Sequence, residues 1–424
     1  MIETIVIILI TLILLSFLFK HPEIAFGLFL IAGVFKADSR LQDFLPGFFD
    51  LTIFFGAIVV FFILYKTLKK RLKIPYIPRE LFLPYFALVI LMFVGLFYTE
   101  APIYGWDKFL RFVTITTLAI FSPIFLLTNI KKFHRFLYTL VFISSLMAME
   151  SIVFHWSEDG FHAAFGSNYL TLGRMTGMVS LVVIYYFLLK NNNLKTKILW
   201  FCLFGLNFFG LLFGGGRAPV IAFFATVIIL GLISLSSKIK TNQVKIIKIT
   251  GGFILIGILF FLFSPELFST LLNRIEVLFT QELGGESVVL RLDFYSSAIE
   301  AFMGKPLQGL GTGGFSVYYL GSDQRSYPHN ILLEIGAEIG IIGLISFFFL
   351  FGFCFLYLLK LERVYKKQEK YYLIVVLLAL LVFMFLNALV SGDINDNRLF
   401  FAWLGVVYAI GVILKKENLL TQDK

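Results

Sequence analysis

Long apolar runs broken by short polar stretches organise this chain. Ile5 to Phe19, Phe54 to Leu64, Leu81 to Phe97 and Leu373 to Leu386 are long enough, or nearly so, to cross a bilayer as helices. Continuing the reading predicts about twelve or thirteen spans of roughly 20 residues. They centre on 3–19, 22–35, 48–65, 80–98, 107–128, 136–155, 170–189, 198–213, 217–235, 249–265, 329–359, 371–390 and 399–414. The second is short and reads as a re-entrant or tilted piece, which leaves the parity of the N-terminal half open. Glu3 and the absence of a basic n-region or a clear small-residue cleavage site make the first run a span, not a removed signal peptide.

One long polar segment interrupts the pattern, from Pro265 to Pro328. Its side of the membrane follows from charge. Lysines and arginines cluster at Lys66 to Lys73, Lys131 to Arg135, Lys190 to Lys197, Lys238 to Lys248, Lys360 to Lys370 and Lys415-Lys416. Such clusters stay on the cytoplasmic side. The segment 265–328 is then external, and so, by alternation, are the turns Gly214 to Arg217 and Ser391 to Arg398. The prediction is an all-α polytopic membrane protein: a single transmembrane domain over 1–424, carrying an external loop at 265–328 with short helices at Pro265 to Phe279 and Val288 to Met303.

Composition agrees. Of 424 residues, 59% are hydrophobic and 15% charged, against about 25% charged in soluble domains. The net charge of +10 raises the question of nucleic acid, but the basic clusters sit in membrane loops with no aromatic-interleaved groove, so no nucleic-acid partner is expected. Cys202 and Cys354 lie in apolar spans and say nothing about redox compartment. No cysteine–histidine cluster points to zinc, and no cofactor is implied.

Ionisable groups at the membrane boundary are where chemistry is expected. His329 stands between Pro328 and Asn330 at the start of a span, with Glu334 and Glu338 one and two turns below on the same face. Asn330 suits a helix cap. A neutral imidazole there can act as a general base; the alternative is a structural histidine bonded to a carbonyl. Arg217 follows Gly214-Gly215-Gly216 at a helix start, where the dipole disfavours a cation unless an anion joins it. Two readings stay open for it: anion binding, or snorkelling and pairing with an acid such as Glu338. Arg291 lies beside the stripe Val288, Leu292, Tyr295 and Ile299; it is either a ligand for substrate or a solvated charge paired with Asp293 or Glu286. Asp393 to Arg398 offers oxygen ligands without the length or terminal glutamate of an EF-hand, which favours capping or contact with a polar ligand. The run Gly309 to Gly314 follows no parallel strand and reads as a tight loop, not a dinucleotide fingerprint.

Together, the glycine turn with Arg217, "RLDFYSSAIEAFMGKPLQGLGTGGF" (Arg291 to Phe315), "PHNILLEIGAEIGIIGLISF" (Pro328 to Phe347) and "SGDINDNRLFFAWLG" resemble the O-antigen ligase and polymerase superfamily of bacterial inner-membrane glycosyltransferases. The resemblance covers about residues 200–415. It implies a type C glycosyltransferase-like fold and a donor glycan on an undecaprenyl-diphosphate carrier. Transfer would be inverting and metal-independent, to an acceptor hydroxyl on the external (periplasmic) face. It further implies that Arg217 and Arg291 hold the diphosphate and that His329 activates the acceptor, with Asn330, Glu334, Glu338, Asp393 and Arg398 in support. The acceptor implied first is lipid A core, as for an O-antigen ligase in lipopolysaccharide biosynthesis, because a single external loop dominates. A polysaccharide polymerase, a protein O-oligosaccharyltransferase and a transporter of lipid-linked sugar are the alternatives. No inverted repeat supports the last.

Overall fold

The computed structural model describes residues 14–36, 38–43, 49–69, 75–155, 163–188, 193–235, 251–252, 276, 286–366, 368 and 370–422. Those residues are helical with no strands, as the apolar runs require. In chain order the principal helices are α1 (Pro22–Ile31), α2 (Leu51–Leu68), α3 (Arg79–Gly95), α4 (Pro102–Leu126, with a π-helical stretch at Phe112–Thr116) and α5 (Ile130–His155). There follow α6 (Tyr169–Phe187), α7 (Leu194–Phe213), α8 (Arg217–Leu235), α9 (Glu286–Gly304) and α10 (Phe315–Leu320). The chain then forms α11 (Ile331–Tyr365), α12 (Tyr371–Ala388) and α13 (Arg398–Gln422).

Eight of these are long and apolar enough to cross a membrane, and a ninth if a bent N-terminal pair counts as one span. That pair, Leu14–Lys20 and Pro22–Phe35, bends by 108°, which fits the re-entrant reading of the second run. The expected spans at 3–19 and 249–265 lie largely outside the described residues, as does the helix expected at Pro265 to Phe279. Two others, α3 and the apolar part of α8, are short for a span.

Burial separates inner from outer helices. In α12 and α6, 83% of the span is buried, against 28% in α2. A helix that is apolar all round belongs at the centre of a bundle or against lipid, and both cases occur. Leu373, Leu377, Leu380 and Phe383 of α12 are closed off in the core, while Ile53, Phe61, Leu64 and Leu68 of α2 point outward. In water such an outward surface invites association; facing acyl chains it is the expected solvent contact. Of the pairings, α11 packs on α3 and α13 on the Thr117–Leu126 end of α4.

The structure fixes how the stripe on α9 sits and changes one sequence expectation. The stripe Val288, Leu292, Tyr295, Ile299 is not the packed face of α9: Leu292 and Ile299 are exposed, and Ala298 and Ala301 are the buried positions, against Phe315 and Ala337. Small residues let α9 sit close to the bundle, and the larger apolar side chains look outward. The expected continuous span at 329–359 is also broken. Gly340 has φ 73° and ψ −165° in the middle of α11, a conformation open to glycine and few others.

Candidate functional site

The break at Gly340 receives the glycine-rich loop. Leu310 N–H donates to the Ala337 carbonyl at 2.8 Å, Gly311 N–H to the Glu338 carbonyl at 2.9 Å, and Ile341 N–H to the Pro306 carbonyl at 2.8 Å. Backbone groups freed by a broken helix must find partners inside the protein at membrane depth, and this loop supplies them. The tight turn expected at Gly309 to Gly314 is confirmed: Gly309, Gly311 and Gly313 all have positive φ. A Cβ on Gly311 would lie 2.6 Å from the Gly95 carbonyl oxygen and one on Gly313 2.8 Å from the Gly105 nitrogen, so backbone meets backbone there. No side chain fits.

Beneath the loop, Glu334 and Glu338 lie on one face of α11, as their spacing predicts, and both reach Lys108 of α4. The Lys108 ammonium is 2.5 Å from Glu334 Oε1 and 2.6 Å from Glu338 Oε2, with all three side chains about 1–2% exposed. Glu338 also accepts from Gly313 N–H at 3.0 Å, Glu334 from Ile394 N–H at 3.2 Å, and the Lys108 carbonyl from Asn395 Nδ2 at 3.0 Å. This network joins α4, α11, the glycine loop and the turn 391–398. Glu338 therefore braces the fold through Lys108, and pairing with Arg217 does not occur.

His329 stands at the mouth of that construction. Asn330 caps α11, its Oδ1 accepting from Leu332 N–H at 2.9 Å and Leu333 N–H at 3.2 Å. To reach the cap from the extended chain, His329 takes φ 58°, one of two positive values at non-glycine positions among the described residues. Such conformations hold only where the surroundings over-determine them, and they concentrate at functional sites. The surroundings here are aromatic: the imidazole lies 5.4 Å from the Phe294 ring and 4.5 Å from the Tyr327 ring. Burial pushes the His329 pKa down to about 4, and Arg291, Arg174 and Arg325 push the same way against Asp393. At neutral pH the ring is an uncharged base.

Arg291 sits on the same side of α9 as Phe294 and Tyr295, within electrostatic reach of His329 and Arg174. Its bland partner Asp293 is engaged elsewhere, accepting from the Tyr319 hydroxyl at 2.6 Å. Arg217 begins α8 at the same end of the bundle. Its glycine turn, with Gly215 at φ 69°, packs beside Tyr169 and Leu170 of α6. Asp393 is fully buried, accepting from Arg325 at 3.1 Å and from Asp396 N–H at 2.6 Å. Arg325 also pairs with Asp396 at 2.8 Å. Asp393 thus braces the turn 391–398, as capping predicts.

His329, Arg325, Tyr327 and Arg398 border a cavity of about 560 Å³ together with Arg174 of α6 and Arg111 of α4. Neither Arg217 nor Arg291 lines it. Lys108, Arg174 and Arg325 are site residues that the motif reading passes over. Lys108 and Arg174 carried one signal, a cation at the edge of an apolar segment, which a membrane protein keeps only for a reason; Arg325, inside the polar segment 265–328, carried none.

The comparisons bear on the middle of this assembly. Residues 201–348, roughly a third of the chain, match the family model described as O-antigen ligase. The match takes in Arg217, Arg291, His329, Glu334 and Glu338, and leaves out Lys108, Arg174 and the 391–398 turn. No curated protein matches the chain.

Proposed function

We propose that the O-antigen ligase domain carried by residues 201–348 makes this chain a membrane glycosyltransferase that takes glycan from an undecaprenyl-diphosphate carrier. Arg217 and Arg291 bind the diphosphate, and His329 is the general base for the acceptor hydroxyl. The observation that carries the reading is His329 itself: a neutral imidazole held in a strained backbone between Phe294 and Tyr327 with Arg291 near it.

In the reaction the acceptor oxygen attacks the anomeric carbon on the face opposite the diphosphate. A new C–O bond forms as the bond to the phosphate oxygen breaks, and configuration inverts. The acceptor proton passes to His329, and the carrier diphosphate leaves with the electron pair. Charge grows on that leaving group, where fixed guanidiniums stabilise it most. His329 lies on the end of the bundle shared by the 214–217 and 391–398 turns, and we assign that end to the external face of the inner membrane, following the basic loops.

An O-antigen ligase acting on lipid A core is the preferred assignment, and a polymerase that uses a second carrier-linked unit as acceptor is the alternative. Purified protein given the carrier-linked oligosaccharide alone separates them. A ladder of longer glycans identifies the polymerase. Product only after addition of lipid A core identifies the ligase. Transfer that persists in His329→Ala refutes the base assignment, and carrier translocation without transfer in proteoliposomes refutes the enzyme.

A further inference from the structure

The cavity beside His329 holds more positive charge than its own walls neutralise. Lys36 is taken by Asp50 at 2.9 Å, and Arg325 by Asp393 and Asp396. Arg111 gives one nitrogen to Asp107 at 2.6 Å, and its Nε is buried without a partner. Arg174 and Arg398 have no carboxylate within ion-pair distance among the described residues. The Arg174 Nε and Nη2 atoms and the Ser167 hydroxyl on the same wall are buried and have no hydrogen-bond partner among the described residues.

A guanidinium stripped of water without an acceptor is strongly unfavourable. Arg174 and Arg398 both line the cavity, so an anion held there would give their guanidiniums the acceptor that the described residues do not. The volume suits a ligand of one to a few sugar rings, since small-molecule sites occupy roughly 300–1,000 Å³. The spare arginines call for an anion and the hydroxyl for a sugar oxygen. Position decides which substrate this is. Arg217 and Arg291, assigned above to the donor diphosphate, do not line the cavity, whereas His329 does. A base that deprotonates the acceptor must face the acceptor.

We propose that this cavity is the acceptor subsite and that Arg174 and Arg398 hold a carboxylate or phosphate group borne by the acceptor glycan. This rests on the assignment of His329 as acceptor base. The acceptor is then an acidic glycan, and recognition of its charge sets the register that brings one hydroxyl to His329. Arg111 and Ser167 contribute to the neutral part of the sugar.

Binding to full-length protein in nanodiscs tests this with three trisaccharides that differ only at one end: glucose, glucuronic acid and glucose 6-phosphate. At least one acidic probe binds about tenfold or more tightly than the neutral one, the size of a single charge-assisted hydrogen bond. Arg174→Gln and Arg398→Gln reduce that preference toward one, and Arg174→Lys recovers part of it, which a loss of folding would not allow. Carboxylate and phosphate are distinguished by which probe gains. Equal binding of all three probes overturns the proposal. So does loss of undecaprenyl diphosphate binding in Arg174→Gln and Arg398→Gln with the acidic preference intact, because the cavity is then the donor's. The glycosyltransferase reading is judged apart, by whether Arg217→Gln and Arg291→Gln weaken carrier binding and His329→Ala abolishes transfer.

Discussion

The Lys108 ammonium meets the Glu338 carboxylate at 2.6 Å across 230 residues of sequence, and the same carboxylate oxygen accepts the Gly313 amide at 3.0 Å. One side chain thus fixes the height of the glycine loop relative to α4 and, through Glu334, the position of the 391–398 turn. Removing one member of a buried ion network leaves the rest uncompensated, at about 3–5 kcal/mol. Lys108→Met is expected to lower the thermal midpoint in detergent sharply. The triple variant Lys108→Met, Glu334→Gln, Glu338→Gln recovers much of the loss. Equal midpoints for Lys108→Met and wild type would refute the network's structural role.

Gly340→Ala tests the broken helix. The new Cβ would lie 2.6 Å from the Leu307 carbonyl carbon at a backbone φ of 73°. The conformation alone costs about 1–3 kcal/mol, and the clash pushes Leu307 and Gln308 away. The expected result is protein that reaches the membrane but exposes the 305–311 loop to protease, with activity falling alongside.

The protonation of His329 gives a pH profile with a definite sign. Its folded pKa is depressed to about 4 by burial and by Arg291, below an unfolded value near 6.5. Between those values the unfolded chain binds the proton and the folded one resists it, so this group's contribution to stability is intact above about pH 6.5 and is lost as pH falls toward 4. The acid limb of kcat/KM should have its midpoint well below 6.5. Arg291→Gln should move it upward, because one of the charges opposing protonation is gone. A midpoint near 6.5 in wild type would place the titrating group elsewhere.

Arg291 and Asp293 are two residues apart, and their substitutions should differ. Arg291→Ala removes a proposed diphosphate donor, and kcat/KM is expected to fall about 10²–10³-fold, as for loss of an oxyanion donor. Arg217→Ala should behave alike. Asp293→Asn keeps an acceptor for the exposed Tyr319 hydroxyl and should change the rate less than a few-fold. Similar losses for Arg291→Ala and Asp293→Asn would return Arg291 to the role of a surface ion pair.

The apolar runs determined the class of fold by themselves. Backbone polar groups in hydrocarbon leave a choice between helix and closed barrel, and runs of this length select helix. Local chemistry was legible where it depends on neighbours in sequence: the Asn330 cap, the glycine turns, and the placement of Glu334 and Glu338 on one face. What only the tertiary structure decided was which distant groups share a site. No pattern pairs Lys108 with acids 226 and 230 positions away, which follows from the numbering of Glu334 and Glu338. Nor does any pattern break α11 at Gly340, since that glycine is ordinary until Leu307 occupies the space beside it. No motif singles out Arg174, and it joins Arg111 and Arg398 on one cavity only because α4, α6 and the 391–398 turn close together there. Periodicity encodes how a segment meets its surroundings; the partners it meets are set by packing among segments whose order in sequence carries no such information.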